Sequence, residues 1–376
     1  MTSAPAQTSI PFFNYRGAFA SREDEFIDII RDVLRRGAFI QQRDLAEFEE
    51  ALAGYLGVRY AFGVANATDG LIISLRAAGI LPGDEVIFPS HTMVASPASV
   101  AHVGAVPVAV DIGPDHLIDP RAVEAAVTER TRAIMPVQLN GRTCDMDAIQ
   151  AIAAKHNLLI IEDAAQALGS KFKGKPAGSF GIAAAFSFYP AKILGCFGDG
   201  GAVVTDDPEV ARKIALLRDH GRNESGEVEM WGFNSRLDNL QAAILMAQFR
   251  SYDEIVNRRR SIARVYDSLL SDVEELVLPP GPDAGGDHFD VFQNYEIEAD
   301  RRDELRAYLS ERGIGTIIQW GGKPVHEFAG LGFKVTLPVT ERFFQRCLML
   351  PLNMMLTDDE VTHVATTVRG FYHGLE

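Results

Sequence analysis

The stretch FSFYPAKILGCFGDGGAVVTDD, residues 186–207, carries a single lysine, Lys192, between an apolar run and a cluster of glycines. A primary amine in that setting is either a solvated surface charge or a covalent anchor for a carbonyl-bearing group. Two other stretches hold groups that bear on the choice. LLIIEDAAQALGS, residues 158–170, ends an apolar run with Glu162 and Asp163, and Gln166 follows. A carboxylate at the end of a buried strand needs a partner, because burying a bare charge is costly; capping the next element is the plainer explanation. GVANATDG, residues 63–70, sets Asn66, Ala67, Thr68 and Asp69 where a strand gives way to a helix. Free N–H groups and a hydroxyl at a helix start bind phosphate, while an N-cap at Thr68 or Asp69 is the plainer role.

The elements around these residues decide whether they can meet. YAFGVA (60–65), EVIFP (85–89), VPVAVDI (106–112), RAIMPVQL (132–139) and LLIIED (158–163) read as short apolar strands. Between them lie helical patterns such as TDGLIISLRAAGI, PRAVEAAV and MDAIQAIAAKHN. Strands alternating with helices of this kind predict an α/β unit with a mainly parallel central sheet between helices. AAAFSFY and GAVVT follow without a full helix between them, and either pair within the sheet or reverse direction at its edge. Beyond residue 235 the texture changes. LDNLQAAILMAQFRSYDEIVNRRRSIARVYDSLL reads as one long helix or two in succession, and LPPGPDAGGDHFD breaks it. A strand VFQNYEIEA, a helix RRDELRAYLSERG, a strand GTIIQW and a last helix from Asp358 then predict a smaller C-terminal α+β domain. The expected division is 1–235 for the N-terminal segment and large domain, and 236–376 for the linking helix and small domain.

In an open α/β sheet, ligands collect beyond the carboxyl ends of the strands. Asp163 and Lys192 are separated by one excursion, KFKGKPAGSFG, and one strand, so both can reach the same rim. An acid and a lysine at one rim, with a phosphate cradle opposite, suit pyridoxal phosphate. The amine forms a Schiff base with the aldehyde, and the carboxylate keeps the pyridine nitrogen protonated. Other cofactors fit less well: GDGG at 198–201 lacks the GxGxxG order, and no GxxxxGK[ST] sequence occurs. The nine histidines show no metal-ligand spacing, so no metal is expected.

Bulk properties narrow the class further. The 376 residues are 47% hydrophobic, enough for a large core. A net charge of −15 argues against a general nucleic-acid or anionic-membrane surface, though not against an anionic small molecule in a local basic pocket. Cys144, Cys196 and Cys347 make no CxxC pair, which argues against a disulfide framework and fits a reducing compartment. The start, MTSAPAQTSIPFFNYRG, lacks a signal-peptide pattern, and no apolar run approaches the roughly 18 residues of a membrane span. A cytoplasmic protein is expected.

The chain resembles the sugar aminotransferases of the DegT/DnrJ/EryC1/StrS family, within the fold-type I, aspartate-aminotransferase-like class of pyridoxal-phosphate enzymes. The likeness runs nearly end to end and rests on LPGDEVIFPSHTMVAS, GAVPVAVDI, TERTRAIMPVQLNG, DMDAIQAIAAKHNLLIIEDAAQALGS, the Lys192 stretch itself and GFNSRLDNLQAAI. The resemblance implies that Lys192 anchors the cofactor and then moves protons, that Asp163 pairs with the pyridine nitrogen, and that Gln166 hydrogen-bonds the ring hydroxyl. It gives Ser187 and the Ala67–Thr68–Asp69 turn to the phosphate, and implies that Asn234 reaches the phosphate of the other subunit in a homodimer. The apolar LQAAILMAQF face and the IPFFNY segment offer surface for that dimer; burial of the helix inside one chain is the alternative.

Four departures from the family pattern stand out. PSHTM puts Met93 where an aromatic is usual, so either His91 or Met93 covers the ring. Ile193 follows the lysine in KILG, Gln138 replaces a histidine in PVQLNG, and the segment often similar to HYPxPLH is QWGGKPVHEF. Trp320, Lys323 and His326 are the expected substrate contacts there, with His326 keeping the family's position. The implied function is transfer of an amino group, from glutamate, to a keto sugar that is most simply nucleotide-linked, and GDGG resembles members that aminate the 3-position. The altered segment leaves room for a free acidic sugar meeting Lys323. A regulatory or structural cofactor-binding protein is the reading from another class. A related dehydratase would carry histidine in place of Lys192.

Overall fold

The computed structural model describes residues 9–374. Residues 1–8, which belong to the start read above as lacking a signal peptide, and residues 375–376 lie outside the described part. The central sheet has seven strands: β1 (Tyr60–Val64), β2 (Glu85–Pro89), β3 (Val106–Val110), β4 (Thr131–Ile134), β5 (Leu159–Asp163), β8 (Ala183–Ser187) and β9 (Gly201–Thr205). Between β5 and β8 the chain makes a small hairpin, β6 (Lys171–Phe172) and β7 (Lys175–Pro176). The sheet order is β1-β9-β8-β5-β4-β2-β3. β9 pairs antiparallel with both neighbours, and the other neighbouring pairs are parallel, so β9 alone runs against the rest. The two runs that lacked a helix between them are therefore adjacent antiparallel strands inside the sheet.

Both faces of this sheet are covered, which is why its strands read as apolar runs rather than alternations. Ala184 and Phe186 of β8 and Ala202 and Val204 of β9 point to one side, packing with Leu45, Phe48 and Leu52 of the helix Arg43–Leu56. Val203 of β9 and Ala183 of β8 point to the other, against Ile73 of the helix Ala67–Ala77 and Ile214 of the helix Pro208–Arg218. The helix Asn239–Phe249 packs Ala242 and Leu245 into the first of these layers, so its apolar face is largely used inside the chain. Arg250 and Ser251 separate it from the helix Tyr252–Leu270, so the stretch read as one long helix or two is two in succession.

The C-terminal sheet is β10 (Leu276–Val277), β12 (Tyr295–Ala299) and β13 (Cys347–Leu350), in the order β10-β12-β13. Its core joins Ile262 and Tyr266 to Leu305, Leu348, Val361 and Val364, and Ile10 from the N-terminal segment is buried in it. The breaker at 278–290 contributes β11 (His288–Phe289), which pairs with β6. The structure corrects one expectation here. GTIIQW is not a strand: it makes only an isolated bridge, Ile317 with Met349, and runs into a 3-10 turn over Gln319–Gly322. Trp320 (φ 46°), Gly321 (φ 73°) and Gly322 (φ 76°) are all left-handed there, a conformation no strand accommodates. The strand that pairs with β12 on the side away from β10 is instead Cys347–Leu350.

Candidate active site

The carboxyl ends of β1, β5 and β8 and the start of the reversed strand β9 meet at one rim. A cavity of about 420 Å³ opens there, lined by Asn66, Ala67, Thr68, Met93, Asp163, Gln166, Ser187, Lys192 and Trp320 among others. The helix Ala67–Ala77 begins at this rim. Its N-cap is Asn66, whose side-chain oxygen accepts the Asp69 N–H at 2.9 Å, so Thr68 and Asp69 are not the cap. The Asp69 N–H is thus spoken for, and the N–H groups of Ala67 and Thr68 are the free ones of the first turn. Gly201 lets β9 pass close by: a Cβ there would stand 2.6 Å from the Asn66 carbonyl carbon and 2.8 Å from the Ala67 nitrogen. Ser187, at the end of β8, completes that wall.

Asp163 is buried, 5% exposed, at the last position of β5. Ser96 Oγ donates to its Oδ2 at 2.7 Å, and the Ala165 N–H to its Oδ1 at 3.2 Å. Ser96 in turn stands 2.6 Å from the Thr92 hydroxyl. With the one Ser96 proton committed to Asp163, Thr92 donates to Ser96. Burial pushes the Asp163 carboxyl above the usual range, against those hydrogen bonds and the Lys192 ammonium. Glu162, next to it, faces the other way, accepting Gln138 Nε2 at 2.8 Å and the N–H groups of Gly178, Phe180 and Gly181 at 2.8, 2.7 and 3.0 Å. It is a structural carboxylate, and Gln138 serves it.

Lys192 sits on a tight loop after β8, its N–H bonded to the Tyr189 carbonyl at 2.8 Å. Gly195 makes the loop this tight, since a Cβ there would lie 2.9 Å from the Pro190 carbonyl oxygen. Removal from water pushes the Lys192 amine down to about 8, with the Asp163 carboxylate pulling in the other direction. Gln166 has its Oε1 held by the Asn140 N–H at 2.9 Å, which leaves its Nε2 as the end available to a ligand.

The structure separates the remaining expected residues. Met93 lines the cavity and is 49% exposed; His91 is buried behind it, its Nδ1 2.9 Å from the His116 carbonyl and its ring against Phe343 and Trp320. Met93 and not His91 is therefore at the cavity wall. Trp320 lines the cavity as well. His326 does not: it is buried, with Nδ1 2.7 Å from Ser90 Oγ and Nε2 3.2 Å from Glu341 Oε1. Lys323 is exposed outside the cavity, its Nζ 5.7 Å from the Phe328 ring centre. Asn234 is exposed on a segment that also presents Trp231 at 88% exposure, away from the cavity lining of its own chain.

Sequence reasoning missed Thr92 and Ser96, although they stand four residues apart in SHTMVAS, the spacing of one helical face. It also missed Asn140, a non-glycine residue at φ 54° beside Gly141. Asn140 Nδ2 donates to buried Glu296 at 2.6 Å, and its Oδ1 accepts Gln319 Nε2 at 2.8 Å and Asn294 Nδ2 at 2.7 Å. These partners come from the C-terminal region, and no local pattern points to them.

A rim that combines an amine, a buried acid and a helix start is the arrangement of an α/β group-transfer enzyme. The profile of the DegT/DnrJ/EryC1/StrS aminotransferase family matches residues 20–369, and the chain belongs to that family. It is 41% identical over 97% of its length to the pleiotropic regulatory protein of Geobacillus stearothermophilus, covering 99% of that chain. It is 40% identical to the dTDP-3-amino-3,4,6-trideoxy-alpha-D-glucose transaminase of Streptomyces venezuelae, over 98% of each chain. Among solved structures it is similar to S. venezuelae DesV in complex with a ketimine intermediate, with a TM-score of 0.93 and 40% identity over 98% of this chain and 100% of that one. The protein is an aminotransferase of the sugar-modifying type. Among the described residues no helix is long and apolar enough to cross a membrane.

Proposed function

We propose that the protein is a pyridoxal-phosphate-dependent aminotransferase that takes an amino group from glutamate and delivers it to the 3-keto position of a nucleotide-linked sugar. The observation that carries this reading is the juxtaposition of Lys192, Asp163, Gln166, Ser187 and the free N–H groups of Ala67 and Thr68 around one cavity. The donor set fits the cofactor group by group. Ser187 and the helix start suit its phosphate, Gln166 Nε2 its ring hydroxyl, the Asp163 carboxylate its ring nitrogen, and Met93 a ring face. Bound there, pyridoxal phosphate supplies an electron-accepting ring conjugated to the nitrogen being transferred.

The chain's own groups do the rest. Asp163, oriented by Ser96 and Thr92, keeps a proton on the ring nitrogen. Lys192 Nζ anchors the cofactor and, once released, takes and returns the proton of the transfer, a task for which a value near 8 leaves a usable neutral fraction at neutral pH. Trp320 supports the reading as a flat wall for a sugar or base, and exposed Lys323, in the same segment, as a partner for a diphosphate reaching out of the cavity. The nucleotide link and the 3-position follow the Streptomyces relative, which is named as a transaminase of a dTDP-3-amino sugar. The regulatory name of the Geobacillus relative is outweighed by the complete lysine, acid and cradle set.

The site is proposed to be completed by a second copy of the chain, with Asn234 reaching the partner's phosphate cradle. Exposed Phe13, Tyr15, Tyr189 and Phe197 near the Lys192 loop, and Trp231 beside Asn234, supply the apolar surface for such a dimer. The test is direct. Purified protein loaded with pyridoxal phosphate shows a visible band that glutamate bleaches, and a panel of nucleotide amino sugars run in reverse with 2-oxoglutarate identifies the substrate. A protein that gives no band, or a band that no amino acid alters, overturns the proposal.

A further inference from the structure

The loop that carries Lys192 is gripped from the C-terminal region by one buried side chain. Gln293, 6% exposed, lies just ahead of β12. Its Oε1 accepts the Ile193 N–H at 2.9 Å, and its Nε2 donates to the Ala191 carbonyl at 2.8 Å. The two peptide groups that flank Lys192 are thus both bonded to a single amide. The Lys192 N–H itself goes to the Tyr189 carbonyl. Gln293 is itself anchored. Arg259 donates Nη2 to the Gln293 carbonyl at 2.7 Å and Nε to the Phe292 carbonyl at 2.8 Å, and Phe292 holds a left-handed φ of 52°. Burial pushes the Arg259 guanidinium down to about 10. A buried cation whose hydrogen bonds run to two backbone carbonyls is costly unless those carbonyls are held in place.

We infer that Gln293 is a positioning residue for Lys192. It fixes the direction in which the lysine stem leaves the loop, and so where Nζ stands over the cavity. The inference rests on the reading of Lys192 as the cofactor-bearing residue. A planar primary amide is the side chain that can do this, because it offers one acceptor and one donor in a fixed relation. A carboxylate would keep the Ile193 contact and set an acceptor against the Ala191 carbonyl. An apolar side chain would lose both contacts and leave the Ile193 N–H and the Ala191 carbonyl without a protein partner.

The experiment uses full-length protein, freed of cofactor and then reloaded. In Gln293→Leu, the rate at which added pyridoxal phosphate attaches to Lys192, followed by absorbance, is expected to fall by roughly ten- to a hundredfold, the scale of two lost hydrogen bonds. kcat falls alike for both half-reactions while KM for glutamate and sugar stays within a few-fold, and the pH midpoint of the visible band moves. Gln293→Glu, which retains the Ile193 acceptor, lies between Leu and wild type. Gln293→Leu that attaches cofactor and turns over at the wild-type rate overturns the inference, as does a loss seen only in melting temperature. Should both variants fail to fold, amide hydrogen exchange on the wild type decides: the clamp requires a strongly protected Ile193 N–H, and rapid exchange there refutes it. Wild type that never shows a visible band refutes the cofactor reading instead, and the Ile193 measurement still reports on the clamp.

Discussion

Asp163→Asn should separate stability from catalysis in opposite directions. The substitution keeps the shape of the side chain, and the amide oxygen can still accept Ser96 Oγ, which stands at 2.7 Å. What it removes is the negative charge at a site only 5% exposed, together with the acceptor for the longer 3.2 Å contact from the Ala165 N–H. In the proposed loaded enzyme that charge would pair with the cofactor's ring nitrogen, and breaking a buried pair by removing one partner costs about 3–5 kcal/mol. At about 1.4 kcal/mol per tenfold, both half-reactions should slow by roughly two to three and a half orders of magnitude. In the cofactor-free protein the sign reverses. The Asp163 carboxyl is raised by burial, so the folded chain holds its proton more tightly than the unfolded chain. Stability therefore falls as pH rises from the unfolded value through the folded one, and at neutral pH the ionised group is a net cost. Asp163→Asn lifts that cost, so the cofactor-free variant should melt no lower than wild type at pH 7, and the difference should shrink as pH is lowered into the carboxylate range. Single-turnover absorbance with glutamate and with the sugar gives the rates, and calorimetry of the cofactor-free proteins gives the stabilities. Half-reactions within threefold of wild type, alongside an inactive Lys192→Ala, would refute the pairing of Asp163 with the ring.

Lys192 gives a second pH signature. Its amine, pushed down to about 8 from 10.5, binds a proton less tightly in the folded chain, so cofactor-free protein gains stability as pH rises between those values; Lys192→Met should abolish that gain in melting curves. Chains carrying Lys192→Ala and chains carrying Asn234→Ala, each inactive alone, should recover activity when mixed, because one site of the mixed dimer keeps both residues; no recovery, with mixed dimers demonstrated, removes Asn234 from the shared site. Lys323→Ala should raise KM for the sugar nucleotide by about tenfold or more, the scale of a charge-assisted hydrogen bond, and leave the glutamate half-reaction unchanged; an equal loss with both substrates points to a folding defect.

Much of this site was legible because its residues sit where short apolar strands stop. Asp163 closes LLIIED, Ser187 closes the AAAFS strand, and the residues after GV at 63–64 open a helix, so strand ends alone marked the rim. Lys192 stood out as an amine with no polar company. What remained hidden depended on contacts between distant parts of the chain. Ser96 acts on Asp163 from a helix 67 positions away, and Gln293 acts on the Lys192 loop from about a hundred. The misread GTIIQW has a local cause. Its three successive β-branched residues, Thr316, Ile317 and Ile318, argue for a strand, but Gly321 and Gly322 follow directly, and the left-handed turn they permit extends back to include Trp320. Cys347–Leu350 escaped because four apolar residues with no alternation, directly after a helix, carry no period. His326 kept its position in the family pattern while its ring turned to Ser90 and Glu341; a matching letter says nothing about which way a side chain faces.

Ile10 exchanges backbone hydrogen bonds with Gly313 and Gly315 and is fully buried among residues of the last third of the chain. A segment made early thus depends on residues made some three hundred positions later. At about 5–20 residues per second, synthesis separates the appearance of Ile10 from that of its partners by roughly fifteen to sixty seconds. Throughout that interval Ile10 lacks the residues it packs against, while the strands from β1 to β9 can already assemble. On the ribosome Ile10 therefore stays unsheltered until the last third of the chain has emerged. A fusion or tether that stiffens the first dozen residues would act on the final docking step of folding, not on the central sheet.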